Sequence, residues 1–312
     1  MMNTESGAVP GSALESQAAA SASLAATRPL YWSVRREVWE NRSIYVAPLV
    51  TAVVFLFGFS LSMVTLPRRM RALSTLEPAA QATAIVMPYS MAATLIMFTG
   101  FVAALVYCLD ALYGERRDRS VLFWKSLPVS DRTTVLAKAC IPLVVVPLVT
   151  AAIALGTQLL MLPLNTAVLA ASGVGAARLW NELPLFQMSL IQPYGLAVHA
   201  LWHAPLYAWL LLVSAWARRT PVLWAVLPPA AIGAVEHIAF GTAYFGALLG
   251  HRVMGAMRVA FTVQAEPHGL ITQLAQLTPG RFLSSGGLWI GLLFAAAFLA
   301  AASRLRRNRG PI

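Results

Sequence analysis

The chain has 312 residues, of which 58% are hydrophobic and only 11% charged, whereas soluble domains average about 45–50% apolar and about 25% charged. Too little polar residue remains to cover the two domains this length would otherwise suggest, so the apolar surplus must face lipid. The formal net charge of +11 does not mark a nucleic-acid binder, because Lys and Arg sit in short clusters at the ends of apolar runs and not on one polar face or arm. Cys108 and Cys140 lie in or beside apolar runs without metal-site spacing, which leaves neither a disulfide framework nor a zinc site.

In chain order, residues 1–27 are rich in Ala and Ser and carry no basic residue. They lack the positive start and apolar core of a secretory signal, and we expect a disordered cytoplasmic tail. From there to residue 309 we expect one all-α transmembrane domain. Tyr31, Val34 and Val38 then recur at helical spacing, flanked by Trp32 and Trp39, with Arg35, Arg36, Glu37, Glu40 and Arg42 between them. That pattern predicts an amphipathic helix in the membrane interface.

Six runs are long and apolar enough to cross a hydrocarbon core about 30 Å thick. They cover about 44–66, 86–110, 139–163, 195–217, 221–249 and 286–303. Pro142, Pro147, Pro205, Pro228 and Pro229 fall inside them and predict kinks, which neighbouring helices can accommodate in a membrane. The stretch before the last run carries Val253, Met254, Met257, Ala260 and Phe261 at helical spacing. A connector of about 35 residues with apolar faces predicts short interfacial or re-entrant helices.

Sorting the 23 basic residues by side orients the chain. Sixteen fall on one side: four between Arg28 and Arg42, six between Arg116 and Lys138, Arg218 with Arg219, and four between Arg304 and Arg309. This predicts that both termini are cytoplasmic, although the Arg68, Arg69 and Arg71 cluster runs against the pattern.

The loop between the second and third runs is the most informative segment. A short helix from about Arg119 to Ser126 would expose Leu122, Phe123 and Trp124, and Pro128 would stop it. Ser130 suits an N-cap, with Asp131 in the first turn where the helix dipole favours an anion. Large apolar side chains beside charges suggest a docking knob for a soluble partner, and equally a helix lying on the membrane interface. Asp110 and Glu115 are expected to pair with Arg116, Arg117 or Arg119.

The loop carries Glu115 and Arg116, then Asp118-Arg119-Ser120, then Leu122-Phe123-Trp124-Lys125-Ser126-Leu127-Pro128-Val129-Ser130-Asp131, and finally Val135, Leu136 and Lys138. At these residues the sequence resembles the membrane subunits of type-2 ABC exporters, in the proteobacterial branch whose loop reads Asp-Arg-Ser, Leu-Phe-Trp, Ser-Leu-Pro-Val-Ser. The Gly-Thr-Leu-Glu variant of many other members is absent. The resemblance implies an interfacial helix, six spans, and a coupling helix made of Asp118, Arg119, Ser120, Leu122, Phe123, Trp124, Lys125, Leu127 and Pro128. It further implies a permease dimer, most simply a homodimer in the bacterial inner membrane, docked to a separate ATPase that brings ATP and Mg. The chain itself would bind no cofactor and catalyse no reaction. Its two lysines, Lys125 after Trp124 and Lys138 after Ala137, lack the preceding Gly of a phosphate-binding loop.

Inside the runs, His199 and His203 share a helical face, and Glu236 with His237 falls near the middle of the fifth run. An ionised acid there costs roughly 2.5–3.5 kcal/mol, so these groups should face the bundle or a wet cavity. Three readings are open: mutual satisfaction around the proline kinks, a substrate path of His199, His203, Glu236 and His237, or metal ligation by His199, His203 and Glu236 in a membrane-embedded hydrolase. The last lacks a His-Glu-x-x-His helix and a Gly-x-Ser-x-Gly turn. A non-transporting scaffold would explain the spans and leave the loop motif without purpose. Gly246 with Gly250 and Gly287 with Gly291 have the spacing of close helix contacts.

Overall fold

A computed structural model describes residues 28–73, 77–120, 123, 129–173, 175, 177–182, 185–262, 271 and 273–308. The tail at 1–27 and the loop residues Leu122, Trp124, Lys125, Leu127 and Pro128 lie outside these. The described residues form an all-α polytopic fold with six helical segments long and apolar enough to cross a membrane. Their only extended pairing is an isolated bridge between Phe261 and Leu277.

We number the helices α1 (Pro29–Glu40), α2 (Ser43–Ser62), α3 (Leu66–Leu73), α4 (Pro78–Asp110), α5 (Tyr113–Arg117), α6 (Asp131–Cys140) and α7 (Val146–Ala171). There follow α8 (Ala177–Glu182), α9 (Leu185–Trp216), α10 (Pro221–Phe240), α11 (Tyr244–Met254), α12 (Ala256–Ala260), α13 (Pro279–Leu283) and α14 (Gly286–Asn308). The 33 residues of α4 make a rod about 50 Å long at 1.5 Å per residue, well beyond the hydrocarbon thickness. The second span therefore stands clear of the lipid at one end or both.

The main packing layers are α14 along α9 and α7 along α4, with α2 lying over both α4 and α7. Thr51 and Thr99 share a 3.0 Å hydrogen bond between α2 and α4. Gln158 and Asn165 of α7 donate to the carbonyl and the hydroxyl of Tyr89 on α4, at 3.2 and 2.9 Å. Gly100 sets how closely α4 and α7 approach, because a Cβ there would collide with Thr150 Cγ2. By contrast α10 buries only Ala225, and its Val222, Val226, Val235 and Ile238 are all exposed.

Proline acts unevenly. Pro142 lies in a π-helical turn, Ile141–Val145, that separates α6 from α7, as expected where a ring removes one bond from the ladder. Helix α9 runs unbroken through Pro193 and Pro205, and α10 through Pro228 and Pro229.

Three expectations change. The fifth span ends at Phe240, not near residue 249, because Gly241 adopts φ +65° and closes the helix with its N–H on the His237 carbonyl at 2.9 Å. A glycine accepts this left-handed geometry without a Cβ clash. The Arg68–Arg71 cluster belongs to α3, where Arg68, Arg69 and Arg71 are exposed while Met70 packs against Ile85, Tyr89 and Met161. These arginines therefore border the end of a span. Third, the stripe from Val253 to Phe261 does not act as one face: Met254 and Met257 are exposed, whereas Ala260 and Phe261 pack with Val198, Trp202 and Phe282.

Of the paired glycines, Gly246, Gly250 and Gly287 meet nothing within 4 Å, and Gly291 alone is closely covered, by the Arg252 guanidinium.

Candidate functional site

Helix α1 is amphipathic, but its polar face is not uniformly wet. Val34 and Val38 pack on the core, and Glu37, on the same helical face, is buried to 1% exposure. Tyr31, Trp32 and Trp39 are exposed, with the Arg35 guanidinium 5.2 and 4.9 Å from the two indole rings. Aromatic and cationic side chains side by side suit an interfacial helix.

Glu37 is the centre of a buried ion cluster. Its carboxylate accepts from Lys138 Nζ at 2.8 Å, Arg36 Nη2 at 2.7 Å and Tyr107 Oη at 2.8 Å. Lys138 also lies 3.1 Å from Glu115 Oε1, and Glu115 Oε2 is 3.0 Å from Arg306 Nη2. Arg306 completes the chain with a 2.7 Å bond to Asp131. Five elements thus meet in one network: α1, the end of α4 at Tyr107, the α5 turn, α6 from Asp131 in its first turn to Lys138 in its last, and the last turns of α14.

Burial alone would raise the Glu37 carboxyl. The Lys138 ammonium, and after it the Arg36 guanidinium, more than reverse this and hold it below the ordinary value of 4.5.

The same region locks the end of α9. Arg116 Nη1 donates to the carbonyls of Ala215 and Ala217 at 2.6 and 3.1 Å, satisfying acceptors that a helix C-terminus leaves open. Reciprocally, Ser214 Oγ accepts from the N–H groups of Leu112 and Tyr113 at 3.0 and 2.9 Å, at the start of α5. Glu115 therefore pairs with Lys138 and Arg306, and Arg116 caps a helix. The expected pairing of Glu115 with Arg116, Arg117 or Arg119 does not form among the described residues, because Lys138 and Arg306 occupy both of its oxygens. Arg117 instead pairs with Asp118 at 3.0 Å.

Both edges of the loop hang from this network. Arg119 has φ +59°, a left-handed conformation uncommon for a residue with a side chain. It follows α5 and is not itself helical, and the rest of the helix expected from about Arg119 to Ser126 lies outside the described residues apart from Ser120 and Phe123. Ser120 Oγ donates to the Glu115 carbonyl at 3.4 Å. Phe123 is helical and 60% exposed. At the far edge Ser130 caps α6 as expected, its Oγ accepting from Thr133 N–H at 3.1 Å.

The intramembrane polar residues separate into two groups. His199 and His203 lie side by side with ring centroids 4.5 Å apart, under the edge of Phe101. His199 Nε2 is 2.9 Å from Tyr207 Oη, and the ring nitrogens of His203 lie 3.0 and 3.2 Å from the carbonyls of His199 and Val253. Of the three open readings, this geometry fits mutual satisfaction best, with His203 tying α9 to α11.

Glu236 is elsewhere. It sits one turn before Gly241, not mid-span, and accepts from Thr242 Oγ1, Tyr244 N–H and Phe245 N–H at 2.8, 2.7 and 2.8 Å. It caps the N-terminus of α11, where the dipole favours a carboxylate. His237 is exposed and not packed into the bundle as expected, because this helix buries little beyond Ala225. Among the described residues no three His, Cys, Asp or Glu side chains are grouped to hold a metal ion. His199, His203 and Glu236 thus do not assemble the centre that the hydrolase reading requires.

Sequence reasoning missed Glu37, Tyr107, Lys138 and Arg306. One signal was present: Glu37 follows Val34 by three positions and precedes Val38 by one, which places it on the apolar face of α1. Compared with protein-family models, with curated proteins and with solved structures, the chain finds no match.

Proposed function

We propose that this chain is the permease subunit of an ATP-binding-cassette exporter, working in a bacterial inner membrane as a homodimer with both termini cytoplasmic. It is driven by a separate ATPase that binds ATP and Mg. The observation that carries this reading is the attachment of both loop edges, through Glu115 and Asp131, to one buried ion cluster.

A partner pressing on the loop at Phe123 pushes first on Glu115 and Asp131. Arg306 holds both carboxylates, so the push reaches α14, while Lys138 and Glu37 pass it to α6 and α1. Buried ions cannot part without exposing an uncompensated charge, which costs several kcal/mol. The elements therefore move as a unit, and a stroke of a few ångströms at the loop tilts spans three and six together. The exposed span five and the α10–α11 turn, with little packing to break, yield more easily.

The reading predicts that a neighbouring reading frame encodes a soluble ATPase with a Gly-rich phosphate loop, and the test is co-expression with it. Replacing Phe123 and Trp124 by Glu should abolish co-purification or remove the permease's effect on ATP hydrolysis. Lys138→Met should leave association intact while uncoupling hydrolysis from the permease. Unchanged association and coupling in the Phe123/Trp124 variant would refute the docking role.

A further inference from the structure

In the half of the bundle away from the ion cluster, Arg252 of α11 lies across the face of Trp202 of α9, its guanidinium carbon 4.7 Å from the ring. On its other side it rests on the backbone of α14 at Gly291, where any Cβ would collide with the guanidinium. Trp202 is 14 residues before the end of α9 at Trp216, about 21 Å along the helix, so the cation is held deep within the bundle's height.

Two buried donors at this place have no partner. Arg252 Nη2 and Trp202 Nε1 are both shut off from solvent and neither makes a hydrogen bond, although Trp202 is only 1% exposed. Buried polar atoms in folded proteins are almost always satisfied, and leaving one unmet costs about 1–3 kcal/mol. No carboxylate of the described residues forms an ion pair with Arg252. Glu236, on the adjacent helix, has both oxygens occupied by Thr242, Tyr244 and Phe245. The neighbouring His203 and His251 add no fixed negative charge. Among the described residues this place therefore presents a cation and two unpartnered N–H groups with no acceptor.

We propose that Arg252 and Trp202 form a binding site for an oxyanion, a phosphate or carboxylate group, between α9, α11 and α14. A guanidinium nitrogen without an acceptor suits such a group, because charge-assisted hydrogen bonds from Arg to an oxyanion are among the strong ones. The adjacent indole N–H adds a directional donor, and the bare backbone at Gly291 leaves the guanidinium room to lie flat. A water molecule could satisfy the donors and would leave the charge uncompensated at a depth where cations are costly. The inference stands without the transport reading: the group can belong to a membrane lipid or to a soluble acid.

The test uses the full chain purified in dodecyl maltoside, followed by its thermal unfolding midpoint. Dioctanoyl phosphatidylglycerol, inorganic phosphate and acetate are the anionic probes, with uncharged dioctanoylglycerol as control. At least one anionic probe should raise the midpoint saturably. Its half-saturating concentration should rise about tenfold or more in Arg252→Gln and several-fold in Trp202→Phe, which keeps the ring but loses the donor. Inorganic phosphate or acetate acting alone assigns the site to a soluble acid, and phosphatidylglycerol acting alone assigns it to a lipid. No saturable shift with any anion, an equal shift with dioctanoylglycerol, or unchanged half-saturation in both variants would overturn the proposal. Should Arg252→Gln fail to fold, Trp202→Phe alone decides.

Discussion

Glu37, Glu115, Lys138 and Arg306 neutralise one another at the loop end of the bundle, whereas Arg252 in the far half stacks on an indole and faces no carboxylate of the described residues. Both places bring charge into the bundle, Arg252 only in part, yet they solve the problem differently. At the loop end, cations and carboxylates arrive from different helices and are brought together, so the charge serves to fasten elements to each other. In the far half the acid that could have served, Glu236, is used instead to cap α11. Ionic groups that are complete bind helices, and an incomplete one has capacity for a ligand.

The largest expected effect breaks the first half of this comparison. Lys138→Ala leaves Glu37 and Glu115 buried without their shared cation and should cost about 3–5 kcal/mol, read as a lower unfolding midpoint in micelles. A loss below about 1 kcal/mol would mean that Arg36 and Arg306 suffice.

A smaller effect should follow from Glu236→Ala. Removing this cap should cause a local loss, appearing as faster hydrogen exchange in Tyr244–Met254 with little change in α9 or α14. Slower or unchanged exchange there would remove the capping role.

The smallest effect is in acid. Glu37 has a depressed pKa in the folded chain, so the stability it supplies is fully present above the ordinary value of 4.5 and is lost as pH falls through its lower folded value. The unfolding midpoint should therefore hold until pH drops below 4.5 and then decline. In Lys138→Ala the largest lowering influence is gone and burial acts in the opposite direction, so the Glu37 share of the acid decline should shrink, and should turn into a gain on acidification once its folded pKa passes 4.5. Identical pH profiles would show that Lys138 does not hold the Glu37 proton off.

Legibility differed between the two regions for a physical reason. The spans, the α1 helix and the Ser130 cap follow from local rules of length, spacing and end chemistry, and each is found in place. Hydropathy continues through Tyr244 to Leu249 and so overextends the fifth span, whereas Gly241, a single residue, ends the helix. Glu115 was given its sequence neighbours as partners because opposite charges a turn apart are the local default. Its actual partners, Lys138 and Arg306, are 23 and 191 positions away, and no local rule reaches that far.

What the sequence determined by itself is that this chain crosses a membrane six times with its basic residues concentrated toward one side, because apolar length and charge placement are properties of segments. Which charges meet was decided only in the tertiary structure. Helices α1, α6 and α14 had to converge before Glu37, Lys138 and Arg306 could share one buried network, and α11 had to fold back on α9 before Arg252 could find Trp202 and, among the described residues, no acid.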